Sequence, residues 1–118
     1  MKKKTLCFDL DNVICTTYKN HYTKSKPKKK IVKLINQLYD QGFIIKILTA
    51  RYSGRFNDDF SKVKKKGFKK TSNQLNKWGL KYHKLFMTKP SFDFYIDDKS
   101  YAFNNNWSKY IKKKFLNK

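Results

Sequence analysis

Glutamate is absent from this 118-residue chain, and all eight of its acidic residues are aspartate, set against 29 lysines and arginines. Arginine is almost as scarce, at two residues, Arg51 and Arg55. Proteins that read nucleic-acid sequence lean on arginine, whose planar fork pairs bidentately with bases and phosphates. The net charge of +21 therefore indicates a general attraction to anions more than specific recognition. Lysine in bulk, with much Asn, Ile, Phe and Tyr, matches an AT-rich coding sequence, yet that bias does not explain the missing glutamate. Long hydrophobic runs are also lacking, which argues against a membrane span. The opening MKKK leads into a short apolar run that Asp9 breaks at once, a poor secretory signal. The expected compartment is the cytoplasm. The two cysteines, Cys7 and Cys15, have neither a CxxC nor a metal-type spacing and read as small buried thiols.

What is present is globular. Hydrophobic residues make up 39% and aromatics 17%, enough for one core, and residues 1–118 read as a single domain. TLCFDL (5–10) reads as a short buried strand. Residues 16–30 read as a polar loop that leads into a helix carrying Ile31, Leu34, Ile35, Leu38 and Tyr39 on one face, with Gly42 as its stop. FIIKILTA (43–50) is near-continuously apolar, as expected of a strand covered on both faces. Strand, helix and strand joined by short links make a βαβ unit with a parallel pair. Residues 51–61 read as loop, and 62–70 show charge with little periodicity. The stretch 71–80 predicts a helix capped by Thr71 or Ser72, with Leu75 and Trp78 inward and Gly79 at its end. HKLFM (83–87) and FDFYID (92–97) are further strands, the latter with Phe92, Phe94 and Ile96 on one face. Residues 104–118 suit a closing helix that turns Trp107, Tyr110, Ile111 and Phe115 inward. The alternation argues a small three-layer α/β fold around a mostly parallel sheet.

Half of the scarce acid falls at two strand ends. Asp9 and Asp11 close the first strand, and Asp97 with Asp98 closes the fourth. Side chains at i and i+2 of a strand share a face, and carboxylates held that close repel unless a cation or a shared proton lies between them. Ligands of open α/β sheets bind outside the carboxyl ends of the strands, so both pairs converge on one edge. Oxygen donors without His or Cys favour Mg²⁺. Thr49 ends the second strand at the same edge, with Arg51 just beyond, and Lys89 precedes the fourth strand. Carboxylates, a metal, a hydroxyl donor and a lysine make a site for phosphoryl transfer.

The series FDLDN, ILTAR and KPSFDFYIDD resembles the four motifs of the haloacid dehalogenase (HAD) superfamily of phosphatases, over residues 5–99. The stretch QLNKWGLKYHKLFMTKPSFDFYIDDK is similar to small HAD-type proteins associated with capsule and lipopolysaccharide biosynthesis. The resemblance implies a Rossmann-like, HAD-like fold and an aspartyl-phosphate mechanism. Asp9 would be the nucleophile and Asp11 the acid and base. Thr49 would hold a phosphoryl oxygen, and Lys89 would neutralise charge. Mg²⁺ would be held by Asp9, Asp97, Asp98 and the backbone carbonyl of Asp11. Asn12 stands where glycine is common and tolerates the same backbone conformations; with Thr49 and Arg51 it is a candidate for touching substrate. Thr88 stands where relatives often have glycine.

Such phosphatases often carry a cap domain, but the 37 residues between Asp11 and Thr49 and the 39 between Thr49 and Lys89 leave no room for one. The site is expected to be open, or covered by another copy in a homo-oligomer. The segment Thr16–Lys26, with Tyr18, His21 and Tyr22, is a candidate flap; His21 itself reads as loop surface. The expected activity is a Mg²⁺-dependent phosphatase of a small phosphorylated metabolite such as a sugar phosphate. The alternatives are a phosphatase of nucleic-acid ends, favoured by lysine runs at 28–30, 64–66 and 112–114, and a non-catalytic basic protein that binds nucleic acid weakly on the same scaffold.

Overall fold

The computed structural model describes residues 4–19, 21–51, 63–87, 94–97 and 104–116. Its centre is strand β1 (Thr5–Asp9), in which Leu6, Cys7 and Phe8 are fully buried. The unbroken apolar run of β1 is the pattern of a strand covered on both faces. β4 (Ile44–Leu48) lies on one side of it, paired Leu6 to Ile45 and Phe8 to Ile47. β6 (Phe94–Ile96) lies on the other, paired Leu6 to Phe94 and Phe8 to Ile96. β5 (Lys84–Phe86) adds to β4, and the four-stranded order β5-β4-β1-β6 is parallel throughout. Helices flank the sheet, consistent with a Rossmann-like three-layer fold.

The first crossover helix, α1 (Lys29–Asp40), buries Ile31, Val32, Leu34, Ile35 and Leu38, the stripe its periodicity predicts. It ends in a Schellman turn: Gly42 has φ 97, its N–H donates to the Tyr39 carbonyl, and the Phe43 N–H donates to the Leu38 carbonyl. The helix α2 (Phe68–Lys77) ends the same way, with Gly79 at φ 73 and the Leu80 N–H donating to the Leu75 carbonyl. Both glycines supply the left-handed backbone that this closure needs.

Several expectations are corrected. α2 begins at Phe68, continuing a π-helical turn over Val63–Gly67, so neither Thr71 nor Ser72 is its cap. Gly67, Thr71 and Leu75 form its buried stripe at i, i+4 and i+8. Two of those residues carry no hydrophobic signal, which is why the start was hidden. β4 is not fully covered: only Ile45 and Ile47 are buried, and Lys46 alternates with them. The polar loop after β1 contains a small antiparallel ribbon, β2 (Cys15–Thr16) with β3 (Lys26–Pro27), and a 3-10 turn at Tyr22–Lys24. In the last helix, α3 (Trp107–Phe115), Ile111 and Phe115 are buried and Trp107 packs 6.2 Å from the Phe8 ring. Tyr110 is 64% exposed, since the covered line of α3 runs through Ile111 and Phe115 and stops short of it. Phe92 lies outside the described residues. Cys7 and Cys15 are both free and buried, as expected. Among the described residues no helix is long and apolar enough to cross a membrane.

Candidate active site

β1 delivers Asp9 at its last position, and the ladder runs one residue further through the Leu10 N–H to the Leu48 carbonyl, 3.0 Å. Leu10 is fully buried, and the chain turns immediately after it. It does so at Asn12, whose φ of 66 is left-handed, a conformation Asn adopts more readily than most residues. The Asn12 N–H donates to the Cys15 carbonyl at 2.8 Å, and its side-chain oxygen accepts from the Thr17 N–H at 3.3 Å. The side chain of Asn12 thus ties the turn to the ribbon.

Asp11, inside this turn, is the hub of a hydrogen-bonded cluster. Its Oδ1 accepts from the Thr17 hydroxyl at 2.6 Å and from Arg51 Nε and Nη2 at 3.0 and 2.8 Å. Its Oδ2 accepts from Arg51 Nε at 3.1 Å and the Thr49 hydroxyl at 3.4 Å. A hydroxyl has one proton to give. Thr17 spends its proton on Asp11, so the 2.6 Å contact between Thr17 and Ser25 is donated by Ser25. Ser25 in turn accepts from Arg51 Nη2 at 3.2 Å.

Arg51 comes from the end of β4. Thr49, 1% exposed, continues the ladder through its N–H to the Phe86 carbonyl, and its hydroxyl accepts from the Arg51 N–H at 3.1 Å. The Arg51 side chain then runs inward, and the residue is only 2% exposed. Its third nitrogen, Nη1, donates to Gln74 Oε1 of α2 at 2.6 Å, and Gln74 Nε2 donates to the Tyr22 carbonyl at 2.8 Å. The Tyr22 ring covers the guanidinium at 5.1 Å. The candidate flap is therefore closed over Arg51 at Tyr22, while Tyr18 is 71% exposed and His21 lies at the surface.

Of the residues the sequence singled out, Asp11, Thr49 and Arg51 are in direct contact. Asp97 follows β6 one step beyond the Phe8–Ile96 rung, which sets it about 4.8 Å along the sheet from the Asp9 backbone. Asp9 and Asp97 are both half-buried. Lys89 and Asp98 lie outside the described residues. Among the described residues no three carboxylate, imidazole or thiol groups converge as a metal centre. The donors that do stand at this edge, Asp9, Asp97 and the Asp11 carbonyl, are all oxygen and suit a hard cation.

Sequence reasoning missed Thr17, Ser25, Gln74 and Cys15. Cys15 Sγ lies 3.7 Å from Asp11 Oδ1 and accepts from Arg51 Nη2 at 3.6 Å. Burial pushes its thiol above the ordinary range, partly offset by the Thr17 hydrogen bond. Cys15 is thus held as a protonated thiol, unsuited to nucleophilic attack. The others are small hydroxyls and an amide that no local pattern in the sequence sets apart.

No protein-family model and no curated protein matches the sequence. Solved structures do share the fold. The crystal structure of a target protein from Vibrio cholerae is similar over 94% of this chain and 98% of that one, with a TM-score of 0.68 and 22% identity. A chain of the Pnkp1/Rnl/Hen1 complex is similar over 98% of this chain with a TM-score of 0.51 and 15% identity, and the match spans 35% of that longer chain. A structure of the Pnkp1/Rnl/Hen1 RNA repair complex gives a TM-score of 0.49 at 15% identity, over 97% of this chain and 32% of that one. At these identities the likeness is one of fold alone.

Proposed function

We propose that this chain is a Mg²⁺-dependent phosphomonoesterase of the HAD type, acting through an aspartyl-phosphate on a small phosphorylated metabolite such as a sugar phosphate. The observation that carries this reading is that Asp9, Asp11, Thr49 and Asp97 stand at the carboxyl ends of three neighbouring parallel strands. The Asp9 carboxylate attacks phosphorus and the ester P–O bond breaks; Asp11, an anion against Arg51 at rest, must enter this step protonated on Oδ2 to give the leaving oxygen its proton. Water then attacks the aspartyl-phosphate, giving its proton to Asp11, which restores both carboxyl groups and releases phosphate. Oδ2 is the oxygen of Asp11 suited to this exchange, because its partners are the more distant ones, at 3.1 and 3.4 Å. The Thr49 hydroxyl would turn from Asp11 to a phosphoryl oxygen, and Lys89 would neutralise charge there. Asp9, Asp97, Asp98 and the Asp11 carbonyl would hold Mg²⁺, which when bound supplies positive charge against the phosphoryl oxygens.

The test is turnover of p-nitrophenyl phosphate with and without Mg²⁺, for wild type and Asp9→Asn. The wild type should be active only with Mg²⁺. Asp9→Asn, folded, should lose about a thousandfold or more. A folded wild type without activity overturns the proposal. The charge of +21 favours a second reading, a phosphatase of nucleic-acid ends. Comparing sugar phosphates with 3′- and 5′-phosphorylated oligonucleotides at physiological salt separates the two.

A further inference from the structure

Helix α1 has a groove on each flank. One, about 610 Å³, lies between α1 and the end of α2, with Pro27, Val32 and Trp78 among its walls and Lys29, Lys33 and Lys77 around it. The other, about 370 Å³, lies between α1 and α3 and gathers Lys30, Lys33, Lys109 and Lys112 beside Leu34. Lys33 and Gln37 line both, so the two grooves adjoin across a shared ridge.

Six lysines thus face two adjoining depressions that contain one carboxylate, Asp40, and Asp40 is paired with Lys81 at 2.9 Å. Among the described residues none of the six lysines forms an ion pair. Lys29 and Lys30 also stand in the first turn of α1, which holds no acid; the helix dipole makes that an unfavourable place for cations. A polyanion lying in the grooves offsets that cost. Lysines are common all over this chain, so charge alone would not define a site. What sets this surface apart is its concavity and its aromatic wall. Trp78 is half-buried, packed on the core on one side and lining the first groove on the other. An indole beside a row of cations is the arrangement on which an unpaired base stacks while its phosphates meet lysine. Lys28, one residue before α1, ties this end of the helix to the turn after β1, its Nζ donating to the Asn12 carbonyl at 3.3 Å. From there α1 extends about 18 Å.

We propose that the flanks of α1 bind single-stranded nucleic acid, with phosphates along Lys29, Lys33, Lys77 and the α3 lysines and a base against Trp78. The proposal stands apart from the hydrolase reading, since binding here needs neither Asp9 nor a metal. The test uses the full chain and a labelled single-stranded dodecanucleotide without terminal phosphates, titrated by fluorescence anisotropy across a salt series. The triple variant Lys29→Gln/Lys33→Gln/Lys77→Gln is compared with Lys65→Gln/Lys66→Gln/Lys69→Gln, exposed lysines outside both grooves with the same change in charge. Losing three phosphate contacts should flatten the log–log salt slope by about 2, while the control variant changes it much less. Saturating oligonucleotide should quench tryptophan fluorescence in wild type and not in Trp78→Phe, and Trp78→Ala should bind about fivefold or more weakly. Equal loss in both triple variants, a fluorescence unchanged at saturation, or equally tight binding of a duplex or of polyglutamate would each overturn the proposal.

Discussion

Removing Asp11 should harm the fold more than removing its partner, and removing both should harm it less than removing Asp11 alone. The Arg51 side chain is 1% exposed and that of Asp11 is 22% exposed. In Asp11→Ala the guanidinium keeps Gln74 and Ser25 but is stranded as a buried cation with no anion. Breaking a buried pair in that way costs about 3–5 kcal/mol. In Arg51→Met the carboxylate keeps the Thr17 hydroxyl at 2.6 Å and is open enough to take up water. Its cost is that of losing hydrogen bonds to a part-exposed group, about 1–3 kcal/mol. The double variant has neither stranded charge, so it should be more stable than Asp11→Ala by roughly 2 kcal/mol. Urea unfolding followed by tryptophan fluorescence measures all three. Additive costs, or an Asp11→Ala cost no larger than that of Arg51→Met, would refute the account of Asp11 as the anion that keeps Arg51 buried. The result matters for catalysis too. A domain stable by about 5–15 kcal/mol is badly weakened by Asp11→Ala, so lost activity in that variant does not by itself assign proton transfer to Asp11.

Other variants report on single features. Arg51→Lys should not rescue the site: an ammonium cannot reach Asp11, Gln74 and Ser25 together, so urea titration should show a loss of about 1–3 kcal/mol, and near-wild-type stability would show that charge alone suffices. Thr71 is 1% exposed and its hydroxyl has no partner among the described residues; Thr71→Val keeps the branched shape and should stabilise by about 1 kcal/mol, whereas destabilisation would reveal a partner. Burial pushes the Cys7 thiol from 9.0 to about 12, so between those values the unfolded chain loses a proton that the folded chain keeps, and stability falls as pH rises. The stability of wild type relative to Cys7→Ala should therefore decline from about pH 9 to pH 12, and a flat difference would contradict the burial argument.

The legibility of the fold tracked how far each signal travels along the chain. β1, α1 and the glycine stops at 42 and 79 are written in local periodicity and local backbone needs, and they stand where the sequence put them. The start of α2 was hidden because its buried stripe runs through Gly67 and Thr71, which bury well without being hydrophobic. Tyr110 stands three residues after Trp107, the spacing at which Leu34 of α1 is buried, and only the packing of α3, which covers Ile111 and Phe115, leaves it exposed. At the site, strand-end spacing puts Asp9, Asp11, Thr49 and Asp97 along one edge of the sheet. The direction of Arg51 depends on Ser25 and Gln74, which lie 26 and 23 residues away in the chain, and no local pattern joins them.

Composition nevertheless held a clue to Arg51. The chain carries 29 basic residues and only two of them are arginine, so an arginine stands out against the lysine background. At position 51 the side chain must do more than carry charge. It contacts both oxygens of one carboxylate, an amide oxygen on α2 and a hydroxyl on the ribbon, all while buried beneath an aromatic ring. Those partners arrive from three separate segments, and a planar fork with five donors spans the three that accept hydrogen bonds. Arg51 therefore does for the candidate site what a larger core would do in a larger protein: it fixes the ribbon, α2 and the turn after β1 against one another. The same reasoning explains how Asp9 and Asp11 tolerate their closeness. Asp11 is compensated from within the protein by Arg51, so its charge does not have to be balanced by whatever Asp9 binds.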